Sequence, residues 1–255
     1  MKRAIRLVVL LVLAGLHGSA FADAERPLLA AGSDEHIWFL VASELEADRW
    51  DLCHGTRRSG AFSYRIVRRL AAPPKAVGAW GNTVWMLLPS PHADGRTFDV
   101  YQLGAVYQPS LEMDLIEPRE GMGPLPPLKG FDSVDLLTGT STGPLVIGSL
   151  DGQTVAQRLI LGKWVEVTLP KPRRDCSSVL AVGSDGSGAI VVAFQCGDVV
   201  ESWIQSEEAD WRKIGKPVSG RSVGLVAVDG VPVLATVGSR QKIVFQYLQA
   251  GEPVE

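Results

Sequence analysis

The chain of 255 residues has three cysteines, four histidines, four methionines and only 7% aromatic residues. Three cysteines are too few for a disulfide-dense small domain, and the histidines are too scattered for a metal motif, so no metal is expected. Past the N-terminus there is no uncharged apolar run long enough to cross a bilayer as a helix. Positive charge is short too: 25 Lys and Arg stand against 28 Asp and Glu. A general nucleic-acid binder needs a clustered basic surface, so that class is excluded. No G-x-x-x-x-G-K-[ST] loop or G-x-G-x-x-G fingerprint occurs, and no cofactor is expected.

What is present begins with an export signal. Lys2, Arg3 and Arg6 precede an apolar run from Leu7 to Leu16, and Ala20-Phe21-Ala22 fits small-x-small cleavage. Residues 1–22 are read as a signal peptide and 23–255 as the mature domain, periplasmic or extracellular, of a bacterial protein. No cysteine follows the apolar run to carry a lipid anchor. Removing the three basic residues leaves 22 positive against 28 negative charges, a net −6.

The mature chain repeats. "YRIVRRL" starts at Tyr64, "EMDLIEP" at Glu112, "WVEVTLP" at Trp164 and "WRKIGKP" at Trp211, with spacings of 48, 52 and 47. Five apolar runs recur between them: "HIWFLVA" at 36, "TVWMLLP" at 83, "PLVIGSL" at 144, "AIVVAFQ" at 189 and "VPVLATV" at 231. Runs this apolar suit strands covered on both faces. Each follows a glycine-containing turn signal, such as Gly81-Asn82 or Asp229-Gly230, and so predicts a hairpin. A short apolar strand precedes each turn, and a half-alternating strand follows each run, for example "VVESWIQ" at 199.

Four antiparallel strands repeated at this period resemble a β-propeller repeat protein in architecture. No Trp-Asp or diglycine motif of a particular propeller family is present. The resemblance implies an all-β fold of about five four-stranded blades, near 26–72, 73–118, 131–170, 175–217 and 221–255. A pair of β-sandwiches is the alternative. Only four outer strands can be counted, so the last blade is expected to hold three, with residues 242–249 as an open edge able to pair with another strand.

Candidate chemistry is sparse. Gly139-Thr140-Ser141-Thr142-Gly143 matches G-x-S-x-G, but a proline and a strand follow where a nucleophile elbow needs a helix. Asp132, Asp135 and Asp175 stand before or at the start of inner strands, where five-bladed glycosidases place a carboxylate pair. Connections between blades gather basic residues on one face: Lys75, Arg119, Lys129, Arg173, Arg174 and Arg221, joined by His92 and Arg96 from a second loop. The stretch from Glu117 to Gly130 is the longest of these connections. Cys176 and Cys196 sum to 372, twice the position of Gly186 at the centre of the expected hairpin, so they should face one another and bond, leaving Cys53 as a buried thiol.

The reading is an exported, non-catalytic binding or scaffold propeller that recognises a protein partner or an anionic ligand such as an acidic glycan on its loop-rich face. A glycoside hydrolase or lyase on the same fold is the alternative.

Overall fold

The computed structural model describes residues 29–31, 36–43, 45–46, 49–58, 61–91, 95–108, 113–118, 125–172, 176–185, 187–206, 210–228, 231–237 and 243–248. They form strands and turns, and no helix among them is long and apolar enough to cross a membrane. The strands assemble into five antiparallel sheets, each from one contiguous stretch of chain.

The first sheet is β1 (Leu29–Ala31), β2 (His36–Ala42), β3 (Trp50–Arg58) and β4 (Ala61–Leu70). The second is β5 (Ala76–Trp80), β6 (Thr83–Pro89), β7 (Thr97–Gln108) and β8 (Met113–Pro118), with the short β9 (Leu128–Lys129) also on β7. The third is β10 (Ser133–Thr140), β11 (Gly143–Leu150), β12 (Gln153–Ile160) and β13 (Lys163–Glu166). The fourth is β14 (Cys176–Ser184), β15 (Ile190–Cys196), β16 (Val199–Gln205) and β17 (Arg212–Lys213), with β18 (Val218–Ser219) also on β16. The fifth is β19 (Arg221–Val228), β20 (Val231–Val237) and β21 (Ile243–Tyr247).

The first strands of the sheets are neighbours in chain order, β1 beside β5, β5 beside β10, β10 beside β14 and β14 beside β19. Five sheets set side by side through their first strands make a β-propeller.

The second strands are largely apolar because their side chains fill the seams between blades, and in the middle sheets both faces do so. In β15, Ile190, Val192 and Phe194 pack toward the third sheet, against Leu145 and Ile147. The alternate residues Val191 and Ala193 pack toward the fifth, with Leu225 and Leu234. Similar seams join the first and second sheets (Trp38, Leu40 and Leu52 with Val84 and Met86) and the second and third (Trp85 and Leu87 with Leu137 and Val146). The period of two thus feeds two cores at once, which removes the polar alternation of a one-sided sheet.

Small residues let the inner strands approach. A Cβ added to Gly139 would stand 2.4 Å from Trp85 Cζ3 and 2.5 Å from the Ala79 carbonyl carbon. One added to Gly78 would stand 2.8 Å from Leu137 Cγ. Outer hairpins of the third sheet turn through Asp151-Gly152 and Leu161-Gly162, all four residues at positive φ, as two-residue turns that match strand twist require.

Three expectations need correction. The stretch 117–130 is not one loop: β8 runs to Pro118 opposite Leu103, and β9 resumes opposite Thr97 and Phe98. Lys129 therefore lies in a short strand on β7 rather than in a loop. The hairpin pairs nearest the 184–190 turn sum to 374, as in Ser184 with Ile190, not 372. Two extra residues in β14 then bring Cys176 opposite Cys196, where an unbroken ladder would give Asp198. The outer strands are also shorter than the aromatic-to-proline stretches: "WVEVTLP" stays bonded to its neighbour only as far as Val167 and "WRKIGKP" only as far as Ile214.

Candidate functional site on the loop face

The ends of the sheets at which one blade's outer strand passes to the next blade's inner strand also carry the connections between second and third strands. Two polar networks and a cleft are built there.

In the first sheet, Asp51 sits at the start of β3 and is buried. Arg69, the penultimate residue of β4, donates from Nε to Asp51 Oδ1 at 2.8 Å and from Nη1 to Glu46. Arg49 adds a 3.5 Å ion pair to Glu46. The hydrogen bond from Arg69, opposed by burial and helped by Ser43, holds the Asp51 carboxyl below its ordinary range.

Beside this network a cleft of about 260 Å³ opens between the first and second blades. Leu70, Met86 and Leu88 supply apolar lining, Ala71 and Ala72 line it too, and Arg68, Arg69 and Tyr101 give it polar character. The Arg68 guanidinium lies 5.8 Å from the Tyr101 ring centroid. Arg68 and Tyr101 are both exposed. Lys75 follows along the chain, exposed at its side chain, with its N–H bonded to the Leu87 carbonyl at 2.7 Å.

The second network joins blades two and three. Arg96, in the connection before β7, makes an ion pair from Nη2 to Asp132 Oδ1 and stands 3.6 Å from Asp151 Oδ1. The other Asp132 oxygen accepts the Asp151 N–H at 2.6 Å. The Arg96 carbonyl accepts from Gly130 N at 3.0 Å. Ser133 donates to Asp135 Oδ1 and lies 3.0 Å from the Ser149 hydroxyl. Asp135 is the residue skipped where the β10 ladder shifts between Val134 and Leu136.

The structure therefore brings Arg96 and Asp132 together, one nominated for ligand binding and the other for catalysis, and each serves the other. Lys75 lies at a separate blade junction, and Arg221 opens β19. The side chain of Arg221 lies outside the described residues, as do His92, Arg119, Arg173, Arg174 and Asp175. The Cys176–Cys196 disulfide is present across β14 and β15, and Cys53 is a free, buried thiol. Burial, reinforced by Asp51, pushes the Cys53 thiol up to about 11.

Three groups escaped sequence reasoning. Asp51 and Arg69 meet across neighbouring strands, 18 residues apart. His36 Nδ1 lies 3.0 Å from His54 Nε2, and His54 packs on Trp38 with ring centroids 4.4 Å apart. Glu201, 5% exposed at its side chain, pairs with Lys213 Nζ at 2.7 Å. The β2–β3 register could have revealed the histidine pair, since His54 faces Trp38, two residues from His36.

No family model and no curated protein matches this chain. Among solved structures it is similar to TolB from Acinetobacter baumannii, at 10% identity and a TM-score of 0.45, over 89% of this chain and 54% of that one. A protein from Lactobacillus plantarum is similar at 10% identity and 0.43, over 91% and 87%. A puromycin hydrolase is similar at 11% identity and 0.34, over 89% and 52%. The chain spans about half the length of TolB and of the hydrolase. All three TM-scores lie below 0.5, and the propeller rests on sheet order.

Proposed function

We propose that the protein is an exported, non-catalytic binding module that takes a segment of a protein partner on its loop face, at the cleft between the first and second blades. The observation that carries this reading is the cleft itself: half-buried Leu88, with the buried Leu70 and Met86 behind it, beside the exposed Arg68 and Tyr101. An arginine and a tyrosine over an apolar floor are the side chains that anchor protein interfaces. They suit an extended segment carrying an apolar residue next to a carboxylate.

The carboxylates support the same reading. Asp132 spends both oxygens on Arg96 and the Asp151 amide, so it braces two blades, and Asp135 accepts from Ser133. A paired acid and base that flank a sugar need oxygens turned to the substrate. The same ion pair partly cancels Arg96 as an attractor of an anionic glycan, so a protein partner is the better fit.

Selection from a random peptide display library tests the proposal. Enrichment of sequences that pair an acidic with an apolar residue, with binding lost in Arg68→Glu, is expected. Failure to enrich any sequence against wild type, or turnover of a polysaccharide panel that disappears in Asp132→Asn, would overturn it.

A further inference from the structure

We propose that Cys176, Cys196 and Glu201 form a redox-gated site for a divalent thiophilic cation of the zinc type, shut while the sulfurs are bonded to each other and opened when a dithiol reduces them. The three residues come from three adjacent strands of one blade. Cys176 and Cys196 are directly opposed, and Glu201 is two residues along β16 from Val199, the partner of Cys196, on the same face. The two sulfurs and a Glu201 carboxylate oxygen all lie within 4.8 Å of one another.

A carboxylate in an apolar interblade seam is costly even when paired. Glu201 sits there among Phe194, Val199 and Trp203, held by Lys213, which also lies 5.3 Å from the Trp203 ring centroid. Beyond its pair with Lys213, the carboxylate stands beside the two sulfurs and supplies a third donor of a kind that zinc accepts.

The chemistry balances. A thiolate of the reductant attacks the Sγ of Cys176, the less buried residue of the pair, and the Sγ of Cys196 leaves and takes up a proton. The second thiol of the reductant then displaces Cys176 and departs as its own disulfide. Two electrons and two protons have passed to the protein. A divalent cation entering between the two sulfurs displaces both protons, and its charge with that of Lys213 cancels two thiolates and Glu201. Thiolate donors select zinc or cadmium over magnesium or calcium, and water completes a tetrahedral set.

The test uses a Cys53→Ala background, so that the third thiol cannot exchange. The full chain is reduced by a dithiol under argon, freed of reductant and titrated with Cd2+, read by thiolate-to-metal absorption, and with Zn2+ against a chromogenic chelator. One ion per reduced chain and none in the oxidised chain is expected. Glu201→Gln should bind about tenfold more weakly or worse, in line with loss of a ligand or its support. The Cys176→Ser/Cys196→Ser double variant should not bind. Equal affinity in the reduced parent and the double-serine variant would overturn the site, as would an unchanged affinity in Glu201→Gln. Thermal melts of the reduced parent with and without Zn2+ guard against simple unfolding: a rise in melting temperature is expected, and no rise at saturating Zn2+ would count against the proposal.

Discussion

Single side chains in this fold show where local rules are kept and where they are broken. Leu161 is a broken one: it takes φ of 48° in the β12–β13 turn and is 96% exposed. A leucine gains nothing there and bears the steric cost of the left-handed region. Leu161→Asn is expected to raise stability by about 1 kcal/mol, measured by urea denaturation; an unchanged or lower midpoint would contradict the strain. Asp51 gives a pH signature. Its folded-state pKa is depressed from 3.8, chiefly by Arg69, so its contribution to stability is present above that value and is lost as pH falls through the folded value. The gap in melting temperature between wild type and Asp51→Asn should be wide at pH 7 and close on acidification well below pH 4. A gap that stays constant with pH would mean the Arg69 pair does not set the titration.

At the scale of strands, the second strands were the most legible part. "HIWFLVA", "TVWMLLP" and "VPVLATV" form β2, β6 and β20 over the same residues, because a strand that fills the seams between blades leaves an apolar run that needs no knowledge of the neighbours. The Cys176–Cys196 bond was legible for a partly wrong reason, since two extra residues in β14 correct a register that the turn alone would have set two places off. β9 and β18 were illegible because two-residue strands carry no periodicity, and their pairing comes from the edge of a neighbouring strand. The clamp of Arg96 on Asp132 and Asp151 was illegible for another reason: loops from two blades meet only after the blades have packed. Packing of inner strands makes its own prediction. Gly139→Ala places a methyl group within 2.5 Å of the Ala79 backbone, which cannot swing aside as a side chain end can. A loss of about 2–3 kcal/mol is expected from such overpacking, read by chemical denaturation, and a neutral result would show that β5 and β10 can separate at no cost.

For the whole molecule, four apolar seams among the described residues bind the five sheets in order, from the first against the second to the fourth against the fifth. The fifth sheet has three strands among those residues, with β21 paired to β20. A chain of seams gives rigid blades whose connections on one face can vary without disturbing the cores, which is how a binding surface is carried on a repeat scaffold. In the proposed function this face binds a partner at the cleft by Arg68 and Tyr101 and leaves the Asp132 network as a brace. The measurement that bears on it most directly is quantitative cross-linking capture from the host's envelope fraction, comparing wild type, the Arg68→Glu/Tyr101→Ala variant and Asp132→Asn, each first shown to be folded. The account predicts a partner held by wild type and by Asp132→Asn and lost from the cleft variant. A partner kept by the cleft variant, or one lost only with Asp132→Asn, would contradict it.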